Sequence, residues 1–355
     1  MKFKALALGA LSMVAASAVA GTASARDTIQ IVGSSTVFPF ATAVAEQFGK
    51  TTKFGTPVIE STGSGGGMKL FCTGAGVDTP DITNASRRMK TSEFETCQKN
   101  GITEITEVKV GFDGIVFATA IDGPTYELTL KDLFMALAKD VPADELGLEM
   151  QANPYKMWNE IREDLPAVEI AFIGPPPSSG TRDALQEIAV EGGCKKFEAI
   201  KALKKEDSKA YKKICRTIRE DGVYEEAGEN DNLIVNKLQD RPTVIGIMGF
   251  SFLDQNSDKI KGSIVEGNEP TFENIAAGAY PVSRSLFFYI KKAHVEVVPG
   301  IKEYVAEWTK ESTWGPDGYL ADKGLIPLPD ETRAAMSEQA NGLGNLTLEM
   351  LESGH

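Results

Sequence analysis

Histidine is nearly missing: His294 and His355 are the only two in 355 residues. A Ser–His–Asp triad or a histidine-based metal centre would have to be assembled around His294 alone, so no catalytic residue and no metal ligand is assigned. No GxSxG elbow occurs. Phe48-Gly49-Lys50-Thr51 has the ending of a phosphate-binding Walker loop, but Val44 stands where the earlier glycine belongs. Basic side chains are also in deficit, 37 Lys and Arg against 50 Asp and Glu, for a net charge of −13. That balance argues against nucleic acid or anionic membrane as a partner. Cysteine is scarce at four, with no CxxC spacing for zinc or redox work. No long apolar run follows the first twenty-five residues.

Those first residues read as an export signal. Lys2 and Lys4 precede an apolar, alanine-rich stretch from Ala5 to Val19, and Ala23-Ser24-Ala25 has the small-x-small pattern before a cleavage point. The expectation is cleavage after Ala25 and a periplasmic protein with a mature net charge of −15. In an oxidising compartment the four cysteines suggest disulfides. Three pairings are possible, and the sequence-local pairs Cys72–Cys97 and Cys194–Cys215 are the expected ones.

Some 330 mature residues exceed one usual core, which predicts two domains. Strand-like and helical runs alternate, predicting an α/β fold of two lobes, each a mainly parallel sheet flanked by helices. Strands are expected at Ile29 to Val32, Thr56 to Ser61, Lys109 to Ala120, Val168 to Ile173 and Thr243 to Met248. Helices are expected at Val37 to Lys50, Met68 to Thr73 and Arg182 to Glu191. Val108 to Ala120 and Val282 to Lys291 read as hinge strands joining the lobes. Lobe I is then discontinuous, 26–120 plus 280–355, and lobe II is 121–279. The segment Cys194 to Asn230 reads as a solvated helical hairpin, and the tail beyond Asp330 as loosely packed on the first lobe.

Three clusters of small hydroxylated residues fall where a strand turns into a helix: Gly33 to Thr36 (GSST), Gly63 to Gly67 (GSGGG) and Ser178 to Arg182 (SSGTR). A helix start carries unpaired N–H groups and partial positive charge, which suit an anion. Capping by Ser and Thr explains any one of them. Three together suggest convergence on one small oxyanion, with Arg87 of DITNASRRM and Arg182 as donors of a forked guanidinium. The acidic surface repels such a ligand at long range, so close donors must hold it.

The motifs VGSSTVFPF from Val32, STGSGGGMK from Ser61, DITNASRRM from Asp81, SSGTRD from Ser178 and VIGIMGFSF from Val244 keep an order that resembles the periplasmic phosphate-binding proteins of the phosphate-specific ABC transporter. The resemblance covers nearly the whole mature chain. It implies the type II periplasmic-binding fold, capture of inorganic phosphate in an interlobe cleft, delivery to an inner-membrane ABC permease, no cofactor, and a monomer. It places the ligand contacts on Ser35, Thr36, the N–H groups of Val37 and Phe38, Ser64, Arg87, Ser179, Gly180 and Thr181, with Arg182 alongside. Two positions depart from its pattern. Ser86 stands where a proton-accepting aspartate is implied, and Pro175 where an arginine is implied; Asp113 and Asp183 are substitute acceptors to consider. The alternatives are a receptor for sulfate, molybdate or a phosphonate, a periplasmic phosphoesterase, and an adhesion-type interaction protein.

Overall fold

The computed structural model describes residues 26–228 and 231–353; the expected signal segment, 1–25, lies outside them. Nine strands form one continuous sheet: β1 (Gln30–Gly33), β2 (Val58–Ser61), β3 (Ile82–Ala85), β4 (Ile105–Ala120), β5 (Phe172–Gly174), β6 (Tyr224–Glu226), β7 (Ile245–Gly249), β8 (Ile260–Gly262) and β9 (Ser283–Lys291). Their spatial order is β2-β1-β3-β9-β4-β7-β5-β6, with β8 on the far part of β4. The β1–β2–β3 group is parallel, and so is β7–β5–β6. The pairs that join the two groups are antiparallel.

β4 is shared. Its residues 105–114 pair with β9, its residues 115–118 pair with β7, and its residues 118–120 pair with β8. The stretch 115–120, placed by sequence in the first lobe, is thus hydrogen-bonded into the second. β9, expected as the second hinge strand, pairs with β3 and with residues 105–114 of β4. The segment just before it reaches the part of β4 that pairs with β7. There Val282 accepts from the Ile115 N–H at 2.9 Å, and the buried Tyr280 hydroxyl donates to the Ile115 carbonyl at 3.1 Å. All but two side chains of β4 are buried, which is why its sequence shows no alternation: both faces are covered.

Helix α1 (Phe38–Thr51) shows how the first lobe is packed. Phe40, Ala41, Val44, Ala45 and Phe48 recur at helical spacing and are its buried stripe, and Pro39 sits in the first turn, where its missing N–H costs nothing. Phe48 is fully buried and meets Tyr304 edge-on at 5.7 Å. Truncating such an aromatic to alanine costs about 3–5 kcal/mol.

The tail differs from expectation. It is pinned, not loose: Leu346 N–H donates to Ile105 O at 2.7 Å, and Arg88 donates to Met350 O at 2.7 Å. The Lys- and Glu-rich segment does form paired helices, Glu198–Glu206 and Ser208–Arg216, but then delivers β6, whose three residues carry too little pattern to stand out. Both expected disulfides, Cys72–Cys97 and Cys194–Cys215, are present.

Candidate functional site

The turns after β1, β2 and β3 lie side by side, because the parallel register sets Gly33 against both Ser61 and Asn84. Ligands of open α/β sheets sit beyond such strand ends. In the first turn Ser34, fully tucked in, does the local work. Its hydroxyl accepts from Val37 N–H at 3.3 Å and its carbonyl from Phe38 N–H at 3.0 Å. The N–H groups of Val37 and Phe38, expected to face an anion, are therefore spent inside the turn. Thr36 remains directed into a cleft.

In the second turn the helix starts earlier than the sequence suggested. Helix α2 (Ser64–Phe71) includes the glycines, entered through Gly63 at φ 73°. A Cβ on Gly67 would stand 2.5 Å from Gly33 Cα and 2.6 Å from Thr83 Oγ1. Gly67 thus lets α2 lie directly on β1, a packing need within one lobe. The Ser64 hydroxyl accepts from Ser86 N–H at 3.0 Å and shares a bond with the Ser86 hydroxyl at 3.1 Å.

The third turn comes from the opposite lobe. Helix α3 (Gly180–Ala184) continues as a π-helical turn, Leu185–Val190, and a last turn, Glu191–Cys194, beginning two residues before the predicted start. Ser179 caps it, its hydroxyl accepting from Thr181 N–H at 3.2 Å; its own O–H stays available to donate. Gly180 meets the first turn across the gap: a Cβ there would lie 3.4 Å from Ser35 O and from Thr36 Cα. The GSST and SSGT turns, 140-odd residues apart in sequence, face each other.

Between them lies a cleft of about 460 Å³, lined by Thr36, Asp113, Ser179, Gly180, Thr181 and Asp231 among others. A larger groove of about 700 Å³ lies elsewhere, walled by Phe250, Phe272, Leu325 and Leu328, which is the wrong lining for a small anion.

The two arginines chosen from sequence do not line this cleft. Arg87 grips Glu93 with both arms, at 2.9 and 2.7 Å, and donates to Arg88 O. Burial raises the Glu93 carboxyl, but Arg87 and the Lys90 N–H outweigh it and hold it below its ordinary value. Arg182 is buried against the Tyr224 ring at 4.1 Å and donates to Pro175 O at 3.2 Å. It braces the proline-rich turn. Burial pushes the Tyr224 hydroxyl up to about 12, with Arg182 opposing, so that hydroxyl stays protonated and donates to Pro175 O at 2.8 Å.

The residue that sequence reasoning missed is Arg284. It stands opposite Asp113 in the β9–β4 register, and its Nε donates to Asp113 Oδ2 at 3.3 Å. One Nη donates to the Thr36 hydroxyl, and the other to Glu187 Oε2 at 3.1 Å. Burial raises the Asp113 carboxyl from its ordinary value, with Arg284 pulling the other way. The available signal was a lone arginine inside the apolar run VSRSLFFYIK, a charge that a buried strand keeps only with a partner. His294, by contrast, is buried in the first lobe between Asp81 Oδ1 at 2.6 Å and Ala75 O at 3.2 Å.

Two lobes, a shared strand and a cleft of hydroxyls and carboxylates at their junction define a ligand-capturing class. A family profile described as a PBP superfamily domain matches residues 18–312; the chain belongs to that superfamily. Among curated proteins it is similar to Protein SphX of Synechococcus elongatus, 26% identical with 86% of this chain and 79% of that one covered. It is also similar to the phosphate-binding protein PstS of Staphylococcus saprophyticus, 27% identical, covering 84% and 79%. A solved structure described as a possible phosphate binding protein from Planctomyces limnophilus superposes with a TM-score of 0.69 at 25% identity, over 90% of this chain and 99% of that one. An ABC-type phosphate transport receptor from Vibrio cholerae shares the fold, with a TM-score of 0.53 at 19% identity over 85% and 100%.

Proposed function

We propose that this chain is an exported solute-binding protein that captures inorganic phosphate between its lobes and delivers it, as a monomer, to an inner-membrane ABC permease. The observation that carries the reading is the approach of Gly180 to Ser35 and Thr36 across the cleft. It brings hydroxyls from both lobes around one small space. The names of its relatives support phosphate as the anion.

Thr36, Ser179, Gly180 and Thr181 form the ligand set, with Ser35 at the contact between lobes and the Ser64–Ser86 pair at the neighbouring strand ends. Neutral donors suit this task. They hold an anion through dipoles already oriented, and opening the hinge is enough to release it. Hydroxyls also accept, so they can take the proton of hydrogen phosphate. Asp113, which lines the cleft, is a second acceptor in place; Asp183 is not among the lining residues. Sulfate lacks that proton and gains nothing from an acceptor.

The deciding experiment is calorimetric titration of the anion-free protein with phosphate and with sulfate at two pH values. Phosphate is expected to bind more tightly at both. Tighter sulfate binding would overturn the assignment in favour of another oxyanion. Steady turnover of an aryl phosphate by the pure protein would favour a phosphoesterase.

A further inference from the structure

Neutral donors can hold an oxyanion between two lobes, and a guanidinium beside them adds a stronger, charge-assisted hydrogen bond. The described arginines around the three turns can be sorted by what already occupies them. Arg87 has both arms on Glu93. Arg88 has its fork on Glu107 and Met350 O. Arg182 lies flat on Tyr224 and holds Pro175 O. Lys323 reaches the cleft mouth but is exposed, a flexible ammonium that remains solvated.

One contact sets Arg284 apart, its bond to a residue of the cleft wall. Its side chain is only 12% exposed. It bonds to Thr36, a cleft-lining hydroxyl, so its fork reaches the cleft wall. Its bonds to Asp113, Thr36 and Glu187 use three of the five N–H donors a guanidinium carries, leaving two. Its three partners also differ in permanence. Asp113 faces it across the strand pair beside the lobe crossing and fixes the guanidinium plane. Glu187 belongs to the opposite lobe, is 42% exposed, and is shared with Arg216 at 2.8 Å.

We propose that Arg284 is the cation of the anion site, aimed by Asp113 and Thr36, with Glu187 as the partner from the second lobe that steadies it when the lobes meet. This rests on the phosphate reading. Arg284 touches the anion in this scheme, and Asp113, besides lining the cleft, positions Arg284.

The test is calorimetric titration with inorganic phosphate of the full mature chain and its variants, each first freed of anion and checked for cooperative unfolding. The wild-type protein comes first: if it binds no phosphate, the reading of the whole site fails, whatever Arg284 does. If it binds, Arg284→Gln is expected to weaken phosphate by about a hundredfold, the scale of a lost charged hydrogen bond. Arg284→Lys, which keeps charge but not the fork, is expected to fall between, about tenfold weaker. Asp113→Asn is expected to lose about tenfold while Arg87→Gln stays within about twofold. Arg284→Gln binding as the wild type does, or Arg182→Gln abolishing binding while Arg284→Gln retains it, would overturn the proposal. Should Arg284→Gln not fold, Arg284→Lys decides: affinity equal to wild type refutes the forked contact.

Discussion

At the scale of single residues, what decides a role is how a side chain's donors are already spent. Arg87 looked suitable because it follows the NAS motif, yet Glu93, one helical turn into the next element, takes its whole fork. Thr36, Ser179, Gly180 and Thr181 were legible because turn chemistry is local and needs no partner far along the chain. Arg284 was not, because its meaning comes from Asp113, 171 positions away, and from a strand register no local pattern specifies. Lys291 offers a pH test of the same accounting. It is fully buried, donating to Gly74 O and to the Thr79 hydroxyl. Burial lowers it to about 8; Asp81 and Asp78 oppose that shift and Arg26 adds to it. Below about pH 8 lysine is charged in both folded and unfolded chains, and the folded state bears the full cost of desolvation. Between about pH 8 and 10.5 the unfolded chain holds more protons, so stability rises with pH. Comparing wild type with Lys291→Met by urea unfolding at pH 7.5 and 10, the wild type is expected to gain roughly 2–3 kcal/mol on the variant. A constant difference would show that Lys291 keeps an ordinary affinity for its proton.

Among elements, the two disulfides each fasten a helix beside a turn without entering the cleft. Cys72–Cys97 ties the end of α2 to helix Thr91–Lys99, and Cys194–Cys215 ties the end of the α3 run to helix Ser208–Arg216. Sequence separations of 25 and 21 residues correspond to about 3 kcal/mol apiece from restricting the unfolded chain. The double variant Cys194→Ala/Cys215→Ala is expected to lose about that much stability to urea, with phosphate affinity nearly unchanged. A large loss of affinity at retained folding would place that clip in control of the SSGT turn. The pairings were readable from an even count and short spacing. The extent of α2 was not, because a glycine run reads as loop, and the close approach of Gly67 to Gly33 that calls for a glycine shows only in the fold. β6 was missed for a related reason: three residues between helices form a strand because β5 is there to accept them.

For the molecule as a whole, the excess of acids sets how the ligand arrives. A protein with 50 acidic and 37 basic side chains repels phosphate until it is within the reach of close donors. Added inert salt screens that repulsion over about 8–10 Å. Stopped-flow association of phosphate is therefore expected to speed up, or stay level, as sodium chloride rises from low to physiological strength. A steep slowing would point to a positive steering field at the cleft, contrary to what the net charge of the chain implies. The two-lobe plan was visible in alternating strand and helix patterns, but the pairing along β4 was not. The apolar run of β4 gives no sign that its hydrogen-bonding partners change at Ile115.

That change of partners governs how the molecule can be cut. A fragment made as 121–279 would leave β7 and β8 with bare edges, since the strand both rely on stays behind. Such a piece invites edge-to-edge aggregation. A fragment spanning 115–282 carries its own neighbour strand, and any attempt to express, label or transplant the second lobe should take those ends.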